Sequence, residues 1–184
     1  SPISVYNKTK MIAERVFLSF RDKIDIICVR PATVCGFSER LRLDLTVNKL
    51  TFDAFYKKKI FVDGGSQVRP NVHIGDLVAA IEHLIFYKKN LNHNIYNVGF
   101  ENLKISEIAN KIKNKIDASI IINKKKDIRS YRQDSSRLLN IGFKPKYNVD
   151  FAIDELTNFF RTRLKSDFTK KNFNLLRMKE LNIK

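Results

Sequence analysis

The sequence predicts an α/β fold, and three observations lead there. Helical patterns and short strand-like runs alternate along the chain. Residues 24–34, IDIICVRPATV, are apolar almost throughout, which suits a strand buried on both faces in a parallel sheet. Residues 149–164 repeat apolar side chains at helical spacing, so a long amphipathic helix packs against whatever the strands form. The alternation assigns two or so strands to one sheet and the rest to a smaller lobe. At 184 residues and 43% hydrophobic content, the chain has material for one substantial core, and its length fits one domain.

The elements follow in order. Residues 5–20 carry Met11, Ile12, Val16 and Phe17 on a helical pattern, and RDK then turns the chain into the apolar strand, whose end Pro31 and Gly36 punctuate. Residues 43–56 read as a helix with Leu45, Leu50, Phe52 and Phe55 on overlapping apolar faces. KKKIFVDGG is a short strand closed by the Gly64–Gly65 turn. In VRPNVHIGDLVAAIEHLIFY, Asp76 is placed to cap a helix running to about Tyr87. A short strand over 94–98 stops at Gly99, Ser106 is the expected cap of the helix SEIANKIKNKI with no capping box, and 118–122 is another short strand. Residues 135–139 form a short helix, and the basic tail from 166 is expected as a loosely attached helix.

Composition excludes several classes. No run of about 18 apolar residues is present and no leader-like pattern is seen, so a soluble, non-secreted protein is expected. Cys28 and Cys35 lie in or beside the apolar strand without a CxxC pair or clustered histidines; they read as reduced packing residues, and no metal site is implied. Lys and Arg number 35 against 19 Asp and Glu, a net charge of +16 that would attract a polyanion or a phosphorylated ligand. The basic residues are nevertheless spread over loops and helix ends in an Asn- and Ile-rich chain, without zinc-finger spacing, aromatic RNA-binding signature or helix-turn-helix, so no specific nucleic-acid partner is expected.

One short motif carries chemistry. In SPISVYNKTKMIAERVF, Tyr6 and Lys10 stand four apart, which puts phenol and ammonium on one helix face about one turn apart. A phenol ordinarily titrates near ~10, and a fixed positive charge beside it favours the phenolate, so Tyr6 is a candidate proton-transfer group. A solvated helix face carries the same spacing, and the motif alone leaves both readings open.

Several separated pieces together resemble one family. YNKTK followed by Glu14, VRPATVCG, RLRLDLTVNKL, GGSQVRPNVHIGDLVAAI, NIYNVG with ISEIANKI, and DIRSYRQDSSRLLNIGFKP occur in the order found in the extended short-chain dehydrogenase/reductases, the NAD-dependent epimerases and dehydratases of nucleotide sugars. The resemblance runs to about residue 160. The family's glycine-rich pyrophosphate turn has no counterpart here, since Gly64–Gly65 follows a short mid-chain strand and lacks the strand, glycines and helix arrangement. The resemblance is therefore to the C-terminal half of such an enzyme: the C-terminal part of a Rossmann-like, doubly wound domain plus a small α/β substrate-binding lobe. On that footing 1–40 end the dinucleotide-binding domain, 41–165 are mostly substrate-binding lobe with segments returning to the sheet, and 166–184 are a basic tail.

The resemblance also implies roles. Tyr6 takes the proton from a sugar hydroxyl while hydride passes to NAD, with NADP the alternative cofactor; Lys10 lowers the Tyr6 pKa and hydrogen-bonds the nicotinamide ribose. Backbone near Pro31, Ala32 and Val34 touches the nicotinamide, although Pro31 is equally suited to ending a strand. Arg69 and Arg129 are the candidates for the diphosphate of a nucleotide-sugar substrate, since a guanidinium forks onto phosphate oxygens; solvated surface arginines are the alternative. Asn48 matches a position near the nucleotide, against an ordinary exposed helix polar residue. His73 and Asp76 read structurally, as a loop contact and a helix cap. The implied activity is a cytoplasmic NAD-dependent nucleotide-sugar epimerase, towards which RLRLDL leans, with 4,6-dehydratase or reductase as alternatives. A homodimer of the full-length enzyme is a further option, and a non-catalytic remnant or split-enzyme subunit is the competing reading.

Overall fold

A computed structural model of the protein describes residues 5–87, 91, 93–123 and 129–182. The order of elements is helix α1 (Val5–Leu18), strands β1 (Cys28–Pro31) and β2 (Thr33–Cys35), helix α2 (Thr46–Lys57), strands β3 (Lys59–Asp63) and β4 (Val68–His73), and helix α3 (Ile74–Phe86). Then come β5 (Ile95–Val98), β6 (Glu101–Lys104), α4 (Ile105–Lys113), β7 (Ser119–Asn123), α5 (Ser136–Asn140), α6 (Val149–Arg161), two 3₁₀ turns (Lys165–Asp167 and Lys170–Asn172) and α7 (Asn174–Glu180). The predicted α/β class is what forms, with three small sheets in which β1 pairs parallel with β5, β2 parallel with β4, and β3 parallel with β7; β6 joins β4 antiparallel.

Three expectations are corrected. The apolar run 24–34 is not one strand buried on both faces. Ile24 and Ile27 lie outside it and are exposed, and the remainder divides at Ala32 into β1, paired with β5, and β2, paired with β4. Among the described residues β1 has a strand on one edge only, and α1 buries none of its side chains, so the run lacks the second layer that would bury it. The caps of α3 are exchanged: His73 is the N-cap, its Nδ1 accepting from Gly75 N–H at 3.1 Å, while Asp76 makes the loop contact, accepting the N–H groups of Lys146 and Tyr147 at 2.9 Å each. Ser106 does not cap α4; it lies inside the helix with its N–H on Gly65 O, and Glu107 reaches back to the Lys104 N–H at 2.7 Å, half of a capping box.

The tail is also more firmly placed than expected. Leu43 N–H donates to Asn172 O, Asn172 Nδ2 returns a bond to Leu41 O, and Phe168 and Phe173 pack on Phe52. Apolar side chains drive this docking, joining Leu41, Leu43, Phe52, Leu156 and Phe160 in one buried cluster. The largest cluster lies between α2, α4 and α6 and the inner face of β3, where Ile60, Val62, Ile108, Ile112 and Ile153 are fully enclosed. A third cluster, around Val72, Tyr96 and Val98, receives Val29, Ala32 and Val34 from the divided strand.

Candidate functional site

Two open clefts meet at the divided strand. The first is a groove of about 790 Å³ beneath α1, lined by Tyr6, Lys10, Met11, Cys28, Val29 and Pro31, among others. Tyr6 and Lys10 share the helix face predicted for them, and Lys10 Nζ stands 5.5 Å from the centroid of the Tyr6 ring. One turn further on, Glu14 takes both arms of Arg30: Nε at 2.7 Å and Nη2 at 2.5 Å. That fork holds Glu14 below the usual carboxylate range, chiefly through the hydrogen bond, and fixes α1 over β1. The sequence pointed to Glu14 without supplying its partner.

The crossing between the clefts is tightly built. Ala32 donates its N–H to Val98 O at 2.8 Å, and its side chain faces Gly99, where any Cβ would stand 2.6 Å from that of Ala32 and 2.4 Å from Gln133 Oε1. Gln133 Nε2 donates to Arg30 O at 2.8 Å and the Ser135 hydroxyl bridges Gly99 N and O, which stitches the strand ends together. Pro31 therefore presents to the groove, Ala32 turns into the core, and Val34 is paired with Val72 inside the sheet, away from both clefts.

The second cleft, about 560 Å³, opens at the carboxyl ends of β3 and β7, and its lining includes Thr33, Phe61, Asp63, Arg69, Arg129 and Tyr131. Both predicted arginines come together here. Arg69 is buried in β4 and donates from Nη1 to Val68 O at 3.0 Å and to Arg129 O, with its guanidinium 5.4 Å from the Tyr131 ring centroid. Ser130 Oγ accepts the Val68 N–H and Tyr131 N–H donates to Val68 O, so the segment carrying Arg129 is laced onto β4. Asp127 and Ile128 of the DIRSYR motif lie outside the described residues.

Asn48 is not the exposed helix residue of the alternative reading. It is 3% exposed, and its amide is engaged by backbone: Oδ1 accepts Gly36 N–H at 3.1 Å while Nδ2 donates to Arg42 O at 3.1 Å and Gly36 O at 3.4 Å. It shapes the loop from β2 to α2, which delivers Asp44 and Leu45 to the second cleft, and the first turn of α2 adds Lys49. The same loop is anchored by His73. Because His73 Nδ1 accepts a backbone N–H, the ring proton sits on Nε2 and is donated to Glu155 at 3.1 Å, and Glu155 in turn accepts the Phe37 N–H at 2.6 Å. Gly36, with φ +98°, fits because a Cβ would lie 2.4 Å from that ring. Sequence reasoning missed Asp63, Asn123, Phe61 and Tyr131, since the pairing of β3 with β7 brings together residues 60 apart and no local pattern announces it. Among the described residues no group of three or more His, Cys, Asp or Glu is arranged to hold a metal, and no helix is long and apolar enough to cross a membrane.

An α/β fold with a Tyr/Lys groove beside a strand end and an arginine-lined cleft at the next strand ends defines a class, and comparison with known proteins gives the same one. The family model described as "NAD dependent epimerase/dehydratase family" matches residues 1–99. This chain belongs to that family. Solved structures share its Rossmann-like fold: an NAD-dependent NDP-hexosamine 5,6-dehydratase of tunicamycin biosynthesis (20% identity, TM-score 0.76, 91% of this chain and 57% of that one). Others are the dTDP-glucose 4,6-dehydratase of Bacillus anthracis with NAD (19%, 0.72, 96% and 56%) and the UDP-glucuronic acid 4-epimerase of Bacillus cereus with UDP-glucuronic acid and NAD (19%, 0.75, 88% and 54%). The chain thus spans little more than half the length of these proteins.

Proposed function

We propose that this chain supplies the catalytic Tyr/Lys pair and the substrate cleft of an NAD-dependent nucleotide-sugar epimerase. The observation that carries the reading is the adjacency of the two clefts: Pro31 lines the Tyr6 groove and Thr33, two residues on, lines the arginine cleft. Two residues of extended chain cover roughly 7 Å. That suits a sugar ring held at Tyr6 with its diphosphate at Arg69 and Arg129.

The residues present fit the nicotinamide end of NAD, because a phenol and an ammonium converge on a groove whose remaining wall is largely apolar. NAD, or NADP in its place, supplies the acceptor and later the donor of a hydride at the sugar carbon. Tyr6 removes the proton from the hydroxyl on that carbon and returns it to the oxygen after the ring has presented its other face. Lys10 stabilises the phenolate and hydrogen-bonds the cofactor ribose. Pro31 lines the groove towards the nicotinamide, with Ala32 and Val34 behind it holding the strand ends in register. Arg69 and Arg129 fork onto the diphosphate, and Asn48 keeps the loop over the cleft in place.

The uncovered apolar face of α1, with Ile12, Val16 and Phe17 more than half exposed, supports a second reading of the same chemistry. In it the chain forms one part of a catalytic unit whose nucleotide-binding part covers that face, within the same polypeptide or in a partner. Incubating the full-length polypeptide with NAD and a panel of nucleotide sugars, followed by NMR of the products, tests the proposal. Interconversion of C4 epimers supports it. A 4-keto-6-deoxy product indicates a dehydratase of the same family instead, and no turnover of any sugar that binds favours the non-catalytic remnant.

A further inference from the structure

The second cleft holds a feature that the Tyr/Lys chemistry and the diphosphate clamp leave unused. Asp63 and Asn123 are the last residues of β3 and β7 and are direct partners in the parallel register, so their side chains stand side by side at the strand ends, where ligands of α/β sheets gather. Asn123 Nδ2 donates to Asp63 Oδ1 at 2.8 Å. This bond uses one of the two amide N–H donors and leaves Asp63 Oδ2 and Asn123 Oδ1 as two acceptors, neither of which accepts a hydrogen bond among the described residues. By contrast Asp44, the other carboxylate lining the cleft, is already taken by both arms of Arg42 at 3.0 Å.

The backbone that carries the pair is anchored. Gln67 accepts the Gly65 N–H at 2.7 Å and donates to Asp63 O at 2.6 Å, Gly64 N–H donates to Asn123 O, and Ser106 N–H donates to Gly65 O. Phe61, two residues earlier on the same face of β3, adds an aromatic flank to the cleft. A carboxylate and an amide oxygen fixed side by side suit a ligand that presents two hydrogen-bond donors together.

We infer that Asp63 and Asn123 select the nucleoside of the substrate by accepting hydrogen bonds from a pair of adjacent donors. This inference rests on the nucleotide-sugar reading of the cleft. Two parts of a nucleoside carry such a pair: the ring N–H and exocyclic amine of guanine, and the 2′,3′-diol of ribose. Uracil, with a single ring N–H between two carbonyls, does not.

The test is calorimetric titration of the full-length polypeptide with GDP, dGDP, UDP and dUDP. Hydrogen bonds to a charged acceptor are worth enough to separate ligands by about tenfold. GDP and dGDP binding about tenfold tighter than UDP and dUDP assigns the pair to the base. GDP and UDP binding tighter than their deoxy counterparts assigns it to the ribose. In either case Asp63→Asn removes the preference while leaving the weaker ligands unchanged. Equal affinity for all four, or a preference that survives Asp63→Asn, overturns the inference and leaves the diphosphate site intact. Binding of none of the four overturns the nucleotide reading of the cleft itself.

Discussion

Replacing Gly36 with alanine tests how the loop over the cleft is held. At φ +98° an alanine pays the left-handed penalty of about 1–2 kcal/mol. Its Cβ would also stand 2.4 Å from His73 Nε2 and 2.7 Å from Cδ2. The ring must move by roughly 1 Å to restore ordinary contact. It has little room, being 5% exposed and packed against Tyr147 and Phe151. Displacing it loosens the Glu155 bond that also holds Phe37. Overpacking of this kind costs about 1–3 kcal/mol, so the whole change is worth roughly 2–5 kcal/mol. Gly142 provides the control: its φ is +91°, yet a Cβ there meets nothing within 4 Å, so Gly142→Ala carries the conformational penalty alone. Urea unfolding followed by far-UV circular dichroism reads both variants, since the chain has no tryptophan. If Gly36→Ala loses no more stability than Gly142→Ala, the packing of His73 against Gly36 is not what holds the loop.

Other consequences follow from the same geometry. Asp76→Ala removes the buried carboxylate that accepts the Lys146 and Tyr147 N–H groups and should cost about 1–3 kcal/mol, read from the urea midpoint. Burial pushes the Cys35 thiol up to about 12, so alkylation of the native protein at mildly alkaline pH should mark Cys28 alone, with Cys35 appearing by mass spectrometry only after unfolding. The Arg30 hydrogen bond lowers the folded pKa of Glu14, so its stabilisation is fully present above the unfolded carboxyl value near ~4.3 and is lost as pH falls through the folded value. The stability gap between wild type and Glu14→Gln should accordingly hold constant from neutral to weakly acidic pH and close in acid. Arg69→Lys should weaken nucleoside diphosphate binding by about tenfold, because an ammonium cannot fork onto two oxygens; unchanged affinity would remove Arg69 from the phosphate clamp.

How far the sequence could be read depended on whether the deciding contact was local. The Tyr6/Lys10 spacing is a property of one helix, and it survives intact in α1. The strands at 59–63, 95–98 and 119–123 announced themselves through β-branched runs with glycine or helix boundaries beside them. The burial of 24–34 could not be read, because an apolar run states what a strand would tolerate and the neighbours decide what it receives. Asn48 matches a position near the nucleotide, with a surface amide as the alternative, and only the return of Gly36 and Arg42 to its side chain shows that it is buried. His73 and Asp76 exchanged roles because both can cap a helix, and the choice was settled by Lys146 and Tyr147, seventy residues away. The tail's phenylalanines were visible, but their partner Phe52 lies more than a hundred residues upstream.

The central claim is that Tyr6 moves the proton while the arginine cleft holds the nucleotide. It is tested most directly by comparing Tyr6→Phe with wild type in the full-length polypeptide, measuring nucleotide-sugar turnover with NAD and nucleoside diphosphate affinity side by side. Turnover should fall by about 10²–10⁴-fold while affinity stays within a factor of about two. Wild-type turnover in Tyr6→Phe, or an equal loss of affinity and rate, would contradict it.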